Sequence, residues 1–416
     1  MTQSLTIEPL TNLLASLESG SRPRGGVRGI TSGVPSLGGE HLNDKGGFRL
    51  DKIRFVPDLF AASMRRGHIH TGDTLIVKDG ATTGKCAIVR DTFPLKKAVV
   101  NEHVFVCRPN GRVVPEFLFW YLYSPMGNQQ VMQDFRGAAQ GGITQAFVEY
   151  VKVPLPNDKQ IQQIISKKLD NIATRLADTE ARLKAIPSTL KRFRMSVLAA
   201  ACSGRLTEKW RRDERLLDWE QTCIGDVIQG KPKNGYSANP VNYETRWRVL
   251  TLTATTSGNF DRNQFKFFDE PIPADSPFWC QPGDILVQRG NTIEYVGVPA
   301  IYTGKPREFI FPDLMMRLRA SERVDTHFLY YALSNASSRQ FMRDKATGTA
   351  GNMPKINQQV LMQVPIDLPP ITEQHEIVKR VSGLFRFADE IEARLISTKK
   401  YVDRLMPSVL TRSFEN

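Results

Sequence analysis

Cysteine is scarce in this sequence. Five of its 416 residues are cysteine, and no two of them form a C-x-x-C pair. An odd number of scattered cysteines is typical of reduced thiols rather than of a disulfide framework, and it favours a cytoplasmic protein. His68 and His70 have no partners at ligand spacing, so we expect no zinc or other metal site.

Long apolar segments are also missing. No apolar run approaches the roughly 20 residues that a membrane-spanning helix needs. The N-terminus lacks the basic and apolar segments of a secretory signal. We therefore expect a protein that makes no membrane contact.

Motifs of cofactor-dependent enzymes are absent as well. The stretch from Gly80 to Lys85 resembles a phosphate loop, but it has one residue too few between its glycines, and Cys86 replaces the required serine or threonine. Residues 239–242 lack the second proline and the aromatic residue of the amino-methyltransferase box. Neither G-x-S-x-G nor H-E-x-x-H occurs. We expect no catalytic residues in this chain and no cofactor bound by it.

Positive charge, in contrast, is in surplus. The chain has 56 Lys and Arg against 43 Asp and Glu, a net charge of +13, and an isoelectric point near 9.5. Such a surplus favours a polyanionic partner, nucleic acid foremost. The hydrophobic content of 41% is ordinary for a globular fold, and the length suits two or three domains.

A helical run over residues 158–203 carries the clearest pattern. Its apolar residues recur in steps of four and three from Ile165 to Val197, which is the seam of a coiled coil. Pro187 lies inside the run and predicts a kink or a short break. The seam of this first helix includes Leu169, Ile172, Leu176 and Leu183.

The same seam returns 212 residues later. Residues 180–183 (EARL) recur as residues 392–395, and 394 − 182 = 212. Two matching seams in one chain can bury themselves against each other, although each helix could instead pack on its own domain. The seam of the second helix includes Val381, Leu384, Ile391, Leu395 and Leu405.

The segments before the helices repeat too. Gly72-Asp73-Thr74-Leu75 returns as residues 283–286, an offset of 211, and the apolar helix from Phe117 returns from Phe328. The sequence therefore predicts an α+β protein with two tandem globular α/β domains separated by two long helices. The predicted segments are a first domain 1–152, a helical spacer 153–205, a second domain 206–363 and a second spacer 364–416.

The loops between the repeated elements differ from copy to copy. One scaffold with two sets of loops suggests one kind of task on two targets, although drift after duplication would also produce it. Arg, Lys, Asn, Gln and Thr on loops are the side chains that read DNA. The first-domain candidates are Arg22, Arg24, Arg28, Lys78, Lys85, Arg136 and Gln140. The second-domain candidates are Lys231, Lys233, Asn234, Arg289, Asn291, Thr292, Arg343, Lys345 and Lys355.

The whole architecture resembles the specificity subunit of type I restriction–modification systems. The residues that carry the resemblance are 368–374 (LPPITEQ) with 377–381 (IVKRV), the paired Gly-Asp-x-Leu turns, and residues 190–194 (LKRFR). The resemblance covers essentially all of the chain. It implies that each globular domain is a target-recognition domain that reads one half of a split sequence in double-stranded DNA.

The resemblance also implies partners. The two helices would form an antiparallel coiled coil that docks modification (methyltransferase) subunits, two of them by expectation, with restriction and translocase subunits joining through the complex. S-adenosylmethionine and ATP with Mg would be bound by those partner subunits. The chain itself would not be a catalyst.

Two other functions remain open from the residues alone. The chain could belong to a DNA methyltransferase or nuclease with its own unrecognised catalytic site, or it could be a coiled-coil scaffold. If it is the recognition subunit, the helix acts as a ruler. Residues 165–197 span about 48 Å, and we expect half-site centres about 34 Å, or roughly 10 bp, apart.

Overall fold

A computed structural model describes residues 5–137, 141–348 and 353–415. The chain divides into two compact units. The first comprises residues 1–184 and 396–416, and the second comprises residues 185–395. Each unit therefore contains one globular domain together with part of each long helix, because the long helices Lys159–Cys202 and Ile371–Phe414 contribute to both.

The first unit contains nine strands and the first five α-helices of the described chain, the fifth of which continues into the second unit. The strands are β1 (Leu5–Pro9), β2 (Leu14–Ser19), β3 (Val34–Leu37), β4 (Arg54–Val56), β5 (Thr74–Val77), β6 (Cys86–Ile88), β7 (Val99–Val100), β8 (Val104–Pro109) and β9 (Lys152–Pro156). The helices are α1 (Asp58–Ser63), α2 (Pro115–Tyr123), α3 (Pro125–Val131), α4 (Phe147–Tyr150) and α5 (Lys159–Cys202).

A four-stranded antiparallel sheet of order β2-β8-β5-β6 is the centre of the first domain. Its strands are apolar without alternation because both faces are covered. Ile76 packs into one core with Phe105, whereas its neighbours Leu75 and Val77 pack into another core with Val104. A second sheet of order β4-β3-β7 and the pair β1-β9 complete the domain.

The second unit repeats this plan. Its strands are β10 (Glu220–Cys223), β11 (Lys233–Asn234), β12 (Pro240–Val241), β13 (Trp247–Leu250), β14 (Phe265–Phe268), β15 (Ile285–Gln288), β16 (Pro299–Ile301), β17 (Met315–Leu318) and β18 (Pro365–Leu368). Its helices are α6 (Glu208–Asp213), α7 (Thr326–Ser334), α8 (Ala336–Asp344), α9 (Gln358–Met362) and α10 (Ile371–Phe414).

The central sheet of the second domain has the order β11-β17-β15-β16, which corresponds strand for strand to β2-β8-β5-β6. Again one strand supplies two cores, since Ile285 and Val287 pack with Leu318 while Leu286 packs with Met315. The pair β10-β18 corresponds to β1-β9, and a sheet of order β12-β14-β13 lies in the position of the second small sheet.

The repeated Gly-Asp turn is held by a buried ion pair in both copies. Gly72 and Gly283 adopt φ values of 90° and 88°, which favour glycine. The aspartate that follows accepts from an arginine on the neighbouring strand: Arg108 Nη2 lies 2.8 Å from Asp73 Oδ2, and Arg319 Nε lies 2.5 Å from Asp284 Oδ1. The identities at these positions are therefore structural rather than DNA-reading.

A buried glutamine anchors the start of each long helix. Gln162 accepts from the backbone N–H of Val114 and donates to the carbonyl of Pro156. Gln374, 212 residues later, makes the same two bonds with Asp325 and Pro369. Each helix is thereby fixed to the domain that precedes it.

The second anchor has an added buried carboxylate. Glu373 is 0% exposed, and it accepts from the Thr207 hydroxyl at 2.6 Å, from Arg211 Nη1 at 3.1 Å and from Trp219 Nε1 at 3.0 Å. The connector between α5 and β10 is held to α10 by these three bonds.

The long helices pack together and on the domains. In the first unit Leu169, near the start of α5, shares a core with Leu410 and Phe414, near the end of α10. In the second unit Val197, near the end of α5, shares a core with Ile377, near the start of α10. The helices are therefore antiparallel, and the two packing alternatives left open by the sequence occur together.

Two details of the helices differ from the prediction. Helix α5 continues through Pro187, so the expected short break is wrong: Pro187 removes one backbone donor but leaves the remaining turns intact. Leu405 is 47% exposed, and the neighbouring Met406 packs against the core in its place. The other predicted seam positions are buried or half-buried: Leu169, Ile172, Leu176, Leu183, Val381, Leu384, Ile391 and Leu395.

Candidate nucleic-acid interface

Three loops of the first domain meet at one edge of the central sheet. The residue after β5, Lys78, donates its backbone N–H to the carbonyl of His103, in the turn before β8, at 2.8 Å. Its own carbonyl accepts from Ile143 at 2.8 Å. Gly142 bridges both Asp79 and Arg136, which closes the glycine-rich loop that follows α3 onto the same edge.

The corresponding loops of the second domain meet in the same way. Arg289 donates its backbone N–H to the carbonyl of Leu314 at 2.8 Å and accepts from Ile356 at 2.9 Å. Lys355 bridges both Gly290 and Thr347. Each position lies 211 residues after its counterpart: 289 − 78, 314 − 103 and 347 − 136 all equal 211. The duplication therefore presents two sets of loops on one frame.

Two of the predicted DNA-contact residues hold this frame together. Lys78 donates its ammonium to the carbonyl of Glu102 at 3.2 Å, and its Nζ lies 5.7 Å from the Phe105 ring centroid. Arg289 donates Nη1 to the carbonyl of Asp313, at the equivalent position, at 3.3 Å. These side chains brace the turn before β8 and the turn before β17.

Acidic residues lie among the cations of the first edge. Arg22 Nε is 3.1 Å from Glu102 Oε1. His103 Nδ1 lies 2.5 Å from Asp79 Oδ1, and its Nε2 lies 3.2 Å from Glu102 Oε1. The net positive potential of this edge is therefore reduced by two carboxylates.

Asp134 anchors the glycine-rich loop of the first domain. Its carboxylate accepts from the backbone N–H of Thr144 at 2.6 Å, from the Thr144 hydroxyl at 2.7 Å and from Arg136 Nη2 at 3.1 Å. Burial raises the pKa of Asp134, but the Thr144 hydrogen bonds and the Arg136 charge outweigh it and leave the pKa below its ordinary value. In the second domain the equivalent position is Lys345, so the two loops are held by different chemistry.

Several predicted residues of the first domain lie apart from this edge or outside the description. Lys85 pairs with Asp44 at 2.6 Å, and this hydrogen bond lowers the pKa of Asp44. Arg24 and Arg28 are exposed on the loop between β2 and β3. Gln140 lies outside the described residues.

The predicted residues of the second domain fall into two groups. Asn291 lies beside the edge, with its backbone N–H directed at the carbonyl of Pro354 and its side chain donating to Gln288 Oε1 at 2.6 Å. Asn234, in β11, accepts from Gln358 at 3.5 Å. The second group comprises exposed or half-buried residues on the flanks of the edge: Lys231, Lys233, Thr292, Arg343, Lys345 and, from the edge itself, Lys355.

Sequence reasoning missed a basic and aromatic sheet in the second domain. The guanidinium of Arg246 lies 4.2 Å from the Trp247 ring centroid, and that of Arg248 lies 5.1 Å from the Phe265 ring centroid. Lys266 is exposed on the adjacent strand. The alternation of basic and aromatic residues in β13 and β14 was the available signal.

The described part of the chain offers little else for chemistry. Within residues 5–137, 141–348 and 353–415, no group of three or more His, Cys, Asp or Glu side chains could hold a metal ion. No helix among these residues is long and apolar enough to cross a membrane. The five cysteines are free thiols, and burial raises the pKa of Cys86 and of Cys202 to about 12.

Two copies of one domain, each with polar loops gathered at a corresponding sheet edge, define a tandem recognition protein rather than an enzyme with one central cleft. Residues 66–188 and 217–398 match the type I restriction modification DNA specificity domain, and the chain belongs to that family.

Individual relatives agree with this assignment. The chain is 27% identical to the type I restriction enzyme EcoKI specificity subunit of Escherichia coli K12, over 96% of this chain and 90% of that protein. It is 30% identical to the StySPI specificity subunit of Salmonella potsdam, over 86% of this chain and 82% of that protein.

Solved structures share the fold. The HsdS subunit from Thermoanaerobacter tengcongensis matches with a TM-score of 0.64 and 17% identity, covering 100% of this chain and 97% of that one. A chain from a type I restriction–modification assembly matches with a TM-score of 0.68 and 17% identity, covering 99% and 97%.

Proposed function

We propose that this chain is the DNA-binding specificity subunit of a type I restriction–modification complex and that each domain reads one half of a bipartite target. The observation that carries the proposal is the pair of matching sheet edges, in which loops of different sequence occupy equivalent positions. Since the loops differ, the two half-sequences differ and the target is asymmetric.

The side chains divide by role. Exposed groups on the edge loops contact base edges, namely Arg136 in the first domain and Asn291, Thr292 and Lys355 in the second. Lys78 and Arg289 keep those loops in place. The basic residues on the flanks contact phosphates, which orient the protein on DNA without reading its sequence. These are Arg22, Arg24, Arg28, Lys85, Lys231, Lys233, Arg343 and Lys345.

The partners follow from the family. The antiparallel helices dock modification subunits, two of them, and restriction and translocase subunits join through the complex. S-adenosylmethionine and ATP with Mg bind to those partners. The chain itself carries out no catalysis and works in the cytoplasm, where its DNA is.

The test begins with the methylated motif of the host genome, read by single-molecule sequencing. A duplex carrying that motif is titrated with the purified chain, together with duplexes in which one half or the other is scrambled. Arg136→Ala is expected to relax discrimination at one half only, by about 1–3 kcal/mol, and Lys355→Ala at the other half only.

Three results would contradict the proposal. They are a continuous motif, affinities that ignore scrambling of either half, and turnover of S-adenosylmethionine by the chain alone. Co-expression with a partner methyltransferase is expected to produce methylation at the motif, whereas the chain without it is expected to produce none.

A further inference from the structure

Two arginines on one face of helix α8 share a single acceptor. Arg339 donates Nη2 to the carbonyl oxygen of Glu294 at 2.9 Å, and Arg343, one turn later, donates Nη2 to the same oxygen at 3.1 Å. Two like charges are therefore held side by side by one neutral group.

The donors of this pair are not used up by the protein. Arg339 is 8% exposed, and its Nη1 is covered without any hydrogen-bond partner. Arg343 is half-buried, and its Nε is likewise covered and unpartnered. Buried charged donors are costly unless a counter-charge meets them, so this arrangement is incomplete without an anion.

The electrostatics agree with that conclusion. Burial lowers the pKa of Arg339 to about 10, and the like charge of Arg343 lowers it further in the same direction. Within residues 141–348 and 353–415, no carboxylate lies within 4.0 Å of either guanidinium. The pair therefore carries two positive charges that the described protein does not neutralise.

The first domain shows that the fold does not need these charges. The equivalent positions are Asn128 and Met132, because 339 − 211 = 128 and 343 − 211 = 132. Asn128 Nδ2 donates to the carbonyl of Gly84 at 2.7 Å, a neutral form of the same tie between helix and hairpin. The arginines of the second domain keep the tie and add charge to it.

The pair lies next to the edge that reads DNA. Glu294 belongs to the connection between β15 and β16, which begins with Gly290, and Gly290 bridges Lys355. Helix α8 leads directly into the loop that carries Thr347, the other bridge partner of Lys355. An anion bound at the pair would lie beside the base-reading loops.

We propose that Arg339 and Arg343 form a phosphate clamp that binds the DNA backbone at the half-site of the second domain and has no counterpart in the first. Arg343 contacts the phosphate, and Arg339 stands behind it as the second charge. Each guanidinium has already committed one Nη to Glu294, so the pair suits a phosphate rather than the two-pronged edge of a guanine. The clamp rests on the proposed function.

The test measures the salt dependence of binding by the full chain. The variant Arg339→Asn with Arg343→Met gives the second domain the residues of the first. A duplex carrying the methylated motif is titrated between roughly 50 and 200 mM salt, where each lost phosphate contact lowers the slope of log affinity against log salt by about 0.9. We expect a slope reduced by about one, and equal weakening on duplexes with either half scrambled.

The controls separate charge from folding. Lys209→Met with Arg212→Asn removes the same two charges from the exposed connector and is expected to leave the slope unchanged. Arg343→Lys keeps the charge and is expected to keep the slope. Thermal unfolding of each variant shows whether the domain is intact.

The outcomes are distinct. An unchanged slope in an intact double variant would overturn the clamp, as would a loss confined to duplexes with an intact second half, because that pattern belongs to base reading. If the parent chain shows no sequence-dependent binding, it is the proposed function that fails rather than the clamp.

Discussion

At the scale of single residues, matched positions of the two domains have separate fates. Asp73 with Arg108 and Asp284 with Arg319 keep one ion pair in both copies. Asp134 and Lys345, in contrast, occupy equivalent positions on the loops that meet DNA and carry opposite charges. Residues that build the frame stayed the same, and residues that orient the loops changed.

Asp134 makes a prediction about pH. Its folded pKa is lowered, so its stabilising contribution is present above the ordinary value of 3.8 and is lost as the pH falls through the folded pKa. Asp134→Asn is expected to cost about 1.5 kcal/mol at neutral pH, because charge-assisted hydrogen bonds to Thr144 and Arg136 are weakened. Urea unfolding of the full chain measures the loss.

The difference between Asp134→Asn and the parent is expected to shrink below pH 3.8, since both side chains are then neutral. The exposed Asp91→Asn serves as the control and is expected to show neither effect. A difference that stays constant down to pH 3 would mean that the carboxylate charge does not hold this loop.

At the scale of elements, the two long helices are divided between the units. Each helix is anchored at its start by a buried glutamine and packs at its end against the other domain's core cluster: Leu410 and Phe414 of α10 lie in the core of the first domain. Such a helix is stabilised by tertiary burial more than by its own propensity.

Two isoleucine and leucine positions on α5 test this packing. Leu169 is 1% exposed and shares a core with Leu410, whereas Ile164 on the same helix is 65% exposed. Leu169→Ala is expected to cost about 2–5 kcal/mol of unfolding free energy, since it leaves a cavity, and Ile164→Ala less than about 0.5 kcal/mol. Chemical denaturation of both variants gives the comparison, and equal losses would show that α5 does not pack through Leu169.

At the scale of the whole molecule, the continuous helices suit a ruler between two reading sites. Helices α5 and α10 each span 44 residues without a break. The expected consequence is that the unspecific gap in the target is set by helix length rather than by the domains, because only the helices belong to both units.

Removing one heptad from each long helix tests the ruler. Seven helical residues correspond to about 10.5 Å, or roughly 3 bp of DNA. The preferred gap is expected to shorten by about that amount while both half-sequences stay the same, which sequencing of the methylated motif in a co-expressing strain would reveal. A gap that ignores the deletion would exclude the coiled coil as the ruler.

The sequence by itself determined the elements whose signals are local or repeated. The three- and four-residue steps of the seams, the Gly-Asp turns and the offsets of 211 and 212 residues predicted the two domains, both long helices and the family. Periodicity and duplication suffice there because each turn of helix or strand repeats the same physical requirement.

Only the tertiary structure decided which cations are free to meet DNA. It showed that Lys78 and Arg289 brace turns, that Lys85 pairs with Asp44, and that Met406 rather than Leu405 packs at the end of α10. It also brought Arg339 and Arg343 to one carbonyl of a distant loop. The physical reason is that a hydrogen bond or ion pair depends on distances of a few ångström between residues far apart in the chain, which no local pattern records.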